Sequence, residues 1–202
     1  MHPGVPKGTS EKNNKVRKVV GKKTKRTFTP KTHVELIEEL DLGDFEASAN
    51  VAGAGFYYLK KDLALLNRAL ISFAIDFMLK KGYTYIEPPL MMNKRVAAAA
   101  GDLNAFEKAL YKIEHEDLYL IPTAEHGILG MLADKTIPEE KLPLKLFGYS
   151  INFRKEVGAH GINEKGLWRT HQFNKVEQFI FCKPKDSWKY YDELRKNAEE
   201  IM

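Results

Sequence analysis

Apolar residues recur along this chain with two different periods, and the change of period marks out its elements. His33 opens the stretch Val34-Glu35-Leu36-Ile37-Glu38-Glu39-Leu40, whose apolar positions lie three or four apart behind Thr32, which predicts a short capped helix. Gly53, Gly55 and Phe56-Tyr57-Tyr58-Leu59 predict a turn feeding a strand. From Asp62 to Lys81, Leu63, Leu66, Leu70, Phe73 and Phe77 repeat at helical spacing and Gly82 supplies the stop, so a long amphipathic helix is expected. Tyr83 to Glu87 predicts a strand that must end at Pro88-Pro89, because two prolines remove ladder donors. Residues 90 to 113 predict helical turns, and Leu118 to Pro122 predicts a strand. Thr123-Ala124-Glu125 predicts the start of a helix through Leu132, with Thr123 as cap and Glu125 at its positive end. Capping alone would explain both residues. A last helix is expected from Ser187 to Met202.

Two long strand-like runs, Leu144 to Glu156 and Trp168 to Cys182, flank the connector Val157 to Leu167, which carries three glycines and predicts a long hairpin loop. Period-two alternation places Asn152, Arg154 and Glu156 on one face of the first strand, opposite Tyr149, Ile151 and Phe153. On the second strand it gathers His171, Phe173, Lys175 and Glu177. Such a face is not a core face. An exposed sheet with cross-strand ion pairs would read the same way, but flanking helices should cover a sheet this long and leave the charges in a cleft.

Charge divides the chain unevenly. The formal net charge is +5, yet residues 1 to 32 hold ten Lys or Arg against the lone Glu11, so the remainder is mildly acidic. Lys22-Lys23-Thr24-Lys25-Arg26 among Gly and Pro residues predicts an extended basic arm over 1–32 that could lie along phosphates, although a solvated linker has the same composition. The other 170 residues, 33–202, are expected to form the folded body; with 44% hydrophobic residues overall, the chain has enough apolar surface for a core. No run approaches the roughly 18 apolar residues of a membrane span, and the start lacks an apolar signal segment. Cys182 is the single cysteine, which excludes an internal disulfide and a cysteine-rich zinc site and suggests a reducing, cytoplasmic setting. No metal site is expected among these residues; His160, His171 and Cys182 lack zinc-site spacing.

The charged face suggests a chemistry. An Arg at the base of a hairpin suits phosphate or carboxylate through its forked donors. Phe173 could stack on a flat ring, Glu156 could accept from an exocyclic amine, and Glu177 could pair with an ammonium group. A nucleoside triphosphate beside an amino acid would meet all of these.

Three blocks resemble a known family. Phe153-Arg154-Lys155-Glu156-Val157-Gly158 followed by Gly166-Leu167-Trp168-Arg169-Thr170-His171-Gln172-Phe173-Asn174-Lys175-Val176-Glu177 resembles motif 2 of class II seryl-tRNA synthetases. Leu120 to Glu125 is similar to that family's serine-binding loop, and Asp62 to Pro89 resembles its motif 1. His2-Pro3-Gly4-Val5-Pro6 resembles the segment after its coiled-coil arm, and Lys155, His126 and Ala159-His160 are closer to archaeal members of the metal-free type.

The resemblance implies an α+β fold, with a class II antiparallel sheet flanked by helices and incomplete here. It implies ATP-dependent activation of serine and transfer to tRNA(Ser), and by extension tRNA(Sec), by a homodimer formed through motif 1. Carried over by position, Thr123, Glu125, Arg154 and Glu177 would bind serine. Arg154 would bind the α-phosphate as the catalytic residue, Glu156 the adenine amine and Phe173 the ring, with Lys155 and Thr170 also on the ATP side. The family's coiled coil and its third motif, which holds the ATP tail and Mg²⁺, have no counterpart in these residues, so 33–202 is expected to be the front half of a catalytic domain, with the Mg²⁺ ligands in the other half. Two alternatives remain at this point: a synthetase-like binding or dimerisation fragment without chemistry, and an amino-acid ligase for carrier proteins, whose zinc ligands this sequence lacks.

Overall fold

The computed structural model describes residues 8–16, 18–100, 107–157 and 166–202. Expectations for His2 to Pro6, Phe106 and the loop residues Gly158, Ala159 and His160 lie outside them. The chain divides into two units, Met1–Pro30 and Lys31–Met202. In the first, the described residues are exposed and carry one short 3₁₀ turn, Glu11–Asn13, whose Asn13 Oδ1 accepts the backbone N–H of Thr9 at 3.0 Å and of Ser10 at 3.2 Å.

The second unit begins with α1 (His33–Glu39), β1 (Gly43–Asp44), α2 (Phe45–Ala52) and β2 (Tyr58–Leu59), with β1 and β2 paired antiparallel. Thr32 caps α1 as expected; α2, which the apolar pattern left unmarked, starts where Asp44 Oδ1 accepts the Ala47 N–H at 2.8 Å. Next come α3 (Lys61–Lys80) and β3 (Thr84–Ile86). The expected helical turns after Pro89 begin instead with a strand, β4 (Met91–Asn93), before α4 (Lys94–Ala100). The reason is tertiary: β4 pairs antiparallel with β5 (Leu118–Leu120), and three residues are too few to show a period.

The remaining elements are α5 (Ala124–Leu132), β6 (Leu144–Phe153), β7 (Gln172–Phe181) and α6 (Ser187–Ile201). The main sheet has the order β3-β6-β7. β6 and β7 form the expected antiparallel hairpin over ten register pairs, from Leu144↔Phe181 to Phe153↔Gln172. β3 joins β6 in parallel, which a connection as long as residues 87–143 permits.

Each sheet face carries its own core. On one face Phe147 is fully buried against Met78 and Tyr83, with Ile75, Phe77, Val176, Ile180 and Leu194 around them, so α3 and α6 cover it. Asn197 ties α6 down by donating to Tyr83 Oη at 3.2 Å and Gln178 Oε1 at 3.0 Å. On the other face Leu146, Ala124 and Ile128 pack with Ile86, Leu144, Phe179 and Phe181 under α5. The stripe predicted for α3 is shared out: Phe77 packs on the sheet, whereas Leu66, Leu70 and Phe73 remain more than half exposed.

Candidate active site

Gly148 sets the geometry of the site. It stands opposite Glu177 in the ladder, and a Cβ there would lie 3.1 Å from Ile128 Cδ1 and 3.2 Å from Ala124 Cβ. Glycine thus lets the first turn of α5 sit directly on the sheet. Thr123, the N-cap of α5, is buried and reaches across as a result: its Oγ1 accepts the Glu125 N–H at 3.4 Å and donates to the Glu177 carboxylate. Lys175, on the same face, closes on Glu177 at 2.8 Å. The Glu125 side chain is exposed at the start of the helix.

Arg154 continues the ladder by one residue, donating its N–H to the His171 carbonyl at 2.9 Å. Strand alternation therefore still aims its side chain, and it stands over Phe173 with 5.1 Å from guanidinium carbon to ring centre. Its Nε donates to the Pro122 carbonyl at 3.1 Å, which uses one of five donors to fix the group. Asn152 and Ser150, both buried, satisfy each other on the same face, with Ser150 Oγ donating to Asn152 Oδ1 at 2.7 Å.

Beyond Arg154 alternation stops. Glu156 has φ of 47°, a left-handed turn that brings its carboxylate to 3.5 Å from Arg169. Arg154, Glu156, Leu167, Trp168, Arg169, Thr170 and Phe173 line a cavity of about 430 Å³. Thr170 Oγ1 donates to the Gln172 carbonyl at 2.9 Å at the entry to β7.

Of the residues singled out in the sequence, the cavity gathers Arg154, Glu156, Thr170 and Phe173, while Thr123 and Glu177 meet further along the same face. Lys155 is not among them: its ammonium lies over the Tyr111 ring at 5.6 Å and its N–H donates to the Ala109 carbonyl. The sequence reading missed Arg169, the Pro122 carbonyl, and Tyr111, whose hydroxyl is 2.7 Å from His171 Nδ1. Arg169 lies where the chain enters β7 and the period gives no direction; Tyr111 is 60 residues from its partner, and nothing local announces the contact. His126 Nδ1 is 3.3 Å from Met92 Sδ, and burial holds its pKa below the ordinary value, with Glu177 opposing part of the shift. Among the described residues no group of three His, Cys, Asp or Glu could hold a metal. None of the described helices is long and apolar enough to cross a membrane.

Residues 110–202 match the family of the tRNA synthetase class II core domain (G, H, P, S and T). Along all 202 residues the chain is 47% identical to the serine–tRNA ligase of Methanospirillum hungatei. The seryl-tRNA synthetase of Pyrococcus horikoshii, solved complexed with ATP, superposes on 87% of the chain with a TM-score of 0.84 and 44% identity. The cytoplasmic serine–tRNA ligase of Naegleria fowleri, in complex with AMP, covers 95% with a TM-score of 0.86 and 39% identity. The chain spans 39% of that Pyrococcus chain, 46% of the Naegleria chain and 48% of the Methanospirillum protein. The fold is that of the class II tRNA synthetases, whose core-domain family residues 110–202 match. Within that class the chain is homologous to the serine–tRNA ligases, of which it carries about half.

Proposed function

We propose that this chain holds serine and ATP for a serine–tRNA ligase reaction. The observation that carries the reading is Arg154, fixed between Phe173 and the Pro122 carbonyl at the mouth of a 430 Å³ cavity, on the same face as the Thr123–Glu177 pair. Phe173 and Glu156 offer a ring and a carboxylate to adenine, and Arg154 offers a bidentate fork to the α-phosphate. The Glu177 carboxylate, with lone pairs beyond those given to Thr123 and Lys175, suits the serine ammonium; Thr123 suits its hydroxyl, and Glu125 stands beside them. The serine carboxylate would attack the α-phosphorus and displace pyrophosphate, and the tRNA 3′ hydroxyl would then attack the acyl carbon and release AMP. Positioning and the Arg154 charge supply what these residues contribute to both barriers. Glu156 and Glu177 each face a cation, Arg169 and Lys175.

The half-exposed Leu66, Leu70 and Phe73 on α3 support a homodimer built on that helix, which light scattering at micromolar concentration tests. The reaction belongs in the cytoplasm with tRNA(Ser) as acceptor, tRNA(Sec) being a second substrate to assay. The basic arm would contact phosphates without reading sequence. With roughly four to six phosphates neutralised, log K for RNA falls with log salt at a slope of about −3 to −5, and removing residues 1–30 flattens it. The deciding experiment is calorimetric titration with ATP followed by serine-dependent ATP–pyrophosphate exchange. Saturable ATP binding is expected, and a chain that binds neither ATP nor serine defeats the reading.

A further inference from the structure

We propose that His33 is a positioning residue for the nucleotide cavity: its Nε2 accepts the Leu167 N–H and so holds the wall that begins with Leu167 and Trp168. The inference rests on reading that cavity as the ATP site. Four of its seven lining residues, Leu167 to Thr170, belong to the segment that enters β7. That segment is in neither helix nor strand, so no ladder fixes it. What meets it is the first residue of α1, 134 positions earlier in the chain.

Three consecutive residues are shaped around this one imidazole. The Leu167 N–H points at Nε2 from 3.0 Å, and the Trp168 indole N–H points at Nδ1 from 3.1 Å. The Trp168 and His33 rings meet edge to face, 5.7 Å apart at 88°. Gly166 has φ of 113°, and a Cβ there would overlap His33 Nε2 and lie 2.8 Å from Val34 Cγ2, so the backbone must pass flat against the ring. His33 is itself held, because a reciprocal cap locks the first turn of α1. Thr32 Oγ1 accepts the Glu35 N–H at 3.3 Å, and the Glu35 carboxylate accepts the Thr32 N–H at 2.6 Å.

Elementary chemistry decides which donor His33 serves. A neutral imidazole has one acceptor nitrogen, and two donors aim at the ring. The Leu167 N–H is part-buried and expensive to leave unpaired, whereas Trp168 is 75% exposed and its indole N–H can turn to water. The tautomer with its proton on Nδ1 therefore holds Leu167.

The test compares His33→Leu, His33→Gln and His33→Asn in the full chain. Glutamine presents an oxygen near the Nε2 position, and asparagine presents one near Nδ1. Two quantities are read: hydrogen exchange of the Leu167 amide, which needs no ligand, and ATP affinity by titration. Leucine and asparagine are expected to speed Leu167 exchange and weaken ATP about two- to tenfold while serine binding holds, and glutamine is expected to restore both. Identical Leu167 exchange in all four proteins overturns the proposal, as does equal ATP loss with glutamine and leucine. Failure of the wild-type chain to bind ATP instead removes the ATP reading and the nucleotide role with it, while Leu167 exchange still reports whether His33 holds the wall.

Discussion

The two ends of one sheet face behave in opposite ways. At one end Leu144, Leu146, Phe179 and Phe181 are closed off by Ile86 and by Ala124 and Ile128 of α5. At the other, the same two strands present Phe173, Lys175 and Glu177, with Arg154 just beyond, and the face opens onto a cavity. Alternation is identical along both, so the backbone does not tell them apart. The difference lies in what covers the face: α5 starts at Thr123, directly over Glu177, and runs only toward the apolar end. A sheet buried under a helix must be apolar, whereas the length left uncovered can carry charges that pair with each other until a ligand takes them. Gly148, opposite Glu177, lies at the boundary, where the helix approaches most closely.

The strongest break of this contrast is at the closed end. Ile128→Ala removes a fully buried side chain and is expected to lower unfolding free energy by about 2–5 kcal/mol in urea titration while ATP binding survives below the transition. A loss smaller than that of Arg154→Ala would show that the two ends are not energetically distinct.

At the open end the expected loss is in binding. Arg154→Ala should weaken ATP by about ten- to 150-fold, the worth of a charge-assisted contact of roughly 1.5–3 kcal/mol, whereas Lys155→Ala should leave affinity near wild type because its ammonium rests on Tyr111. Equal losses in calorimetry would sink the assignment of sides.

The smallest effect belongs to His126, on the turn of α5 between the two ends. Burial depresses its folded-state pKa below the ordinary 6.5, so the neutral form is favoured in the fold. As pH falls below 6.5 the unfolded chain protonates first; the stability that His126 contributes is present above that value and is lost as pH falls through the folded pKa. The melting temperature of wild type should thus drop more between pH 7 and 5 than that of His126→Gln. Parallel curves would show that His126 does not titrate differently in the fold.

Much of this molecule was legible in its residues because the features concerned are local. The cap of α1 at Thr32, the length of α3, the hairpin of β6 and β7 and the shared face of Arg154, Phe173 and Glu177 all follow from periods and caps that operate within a few residues. The resemblance of the motif 2 stretch named the family from the same residues. Other features depend on partners far away in sequence. β4 exists because β5 pairs with it, β3 runs parallel to β6 across a long connection, and the Lys155 ammonium comes to rest over the ring of Tyr111, 44 positions earlier. Glu156 reaches Arg169 through a left-handed turn that alternation does not contain, and His33 enters the picture only once residues 134 positions apart are packed together. Periodicity dictates which way a side chain points from its own backbone, but which neighbour it meets is settled only by the packing of distant segments, and the site of this protein is made of such meetings.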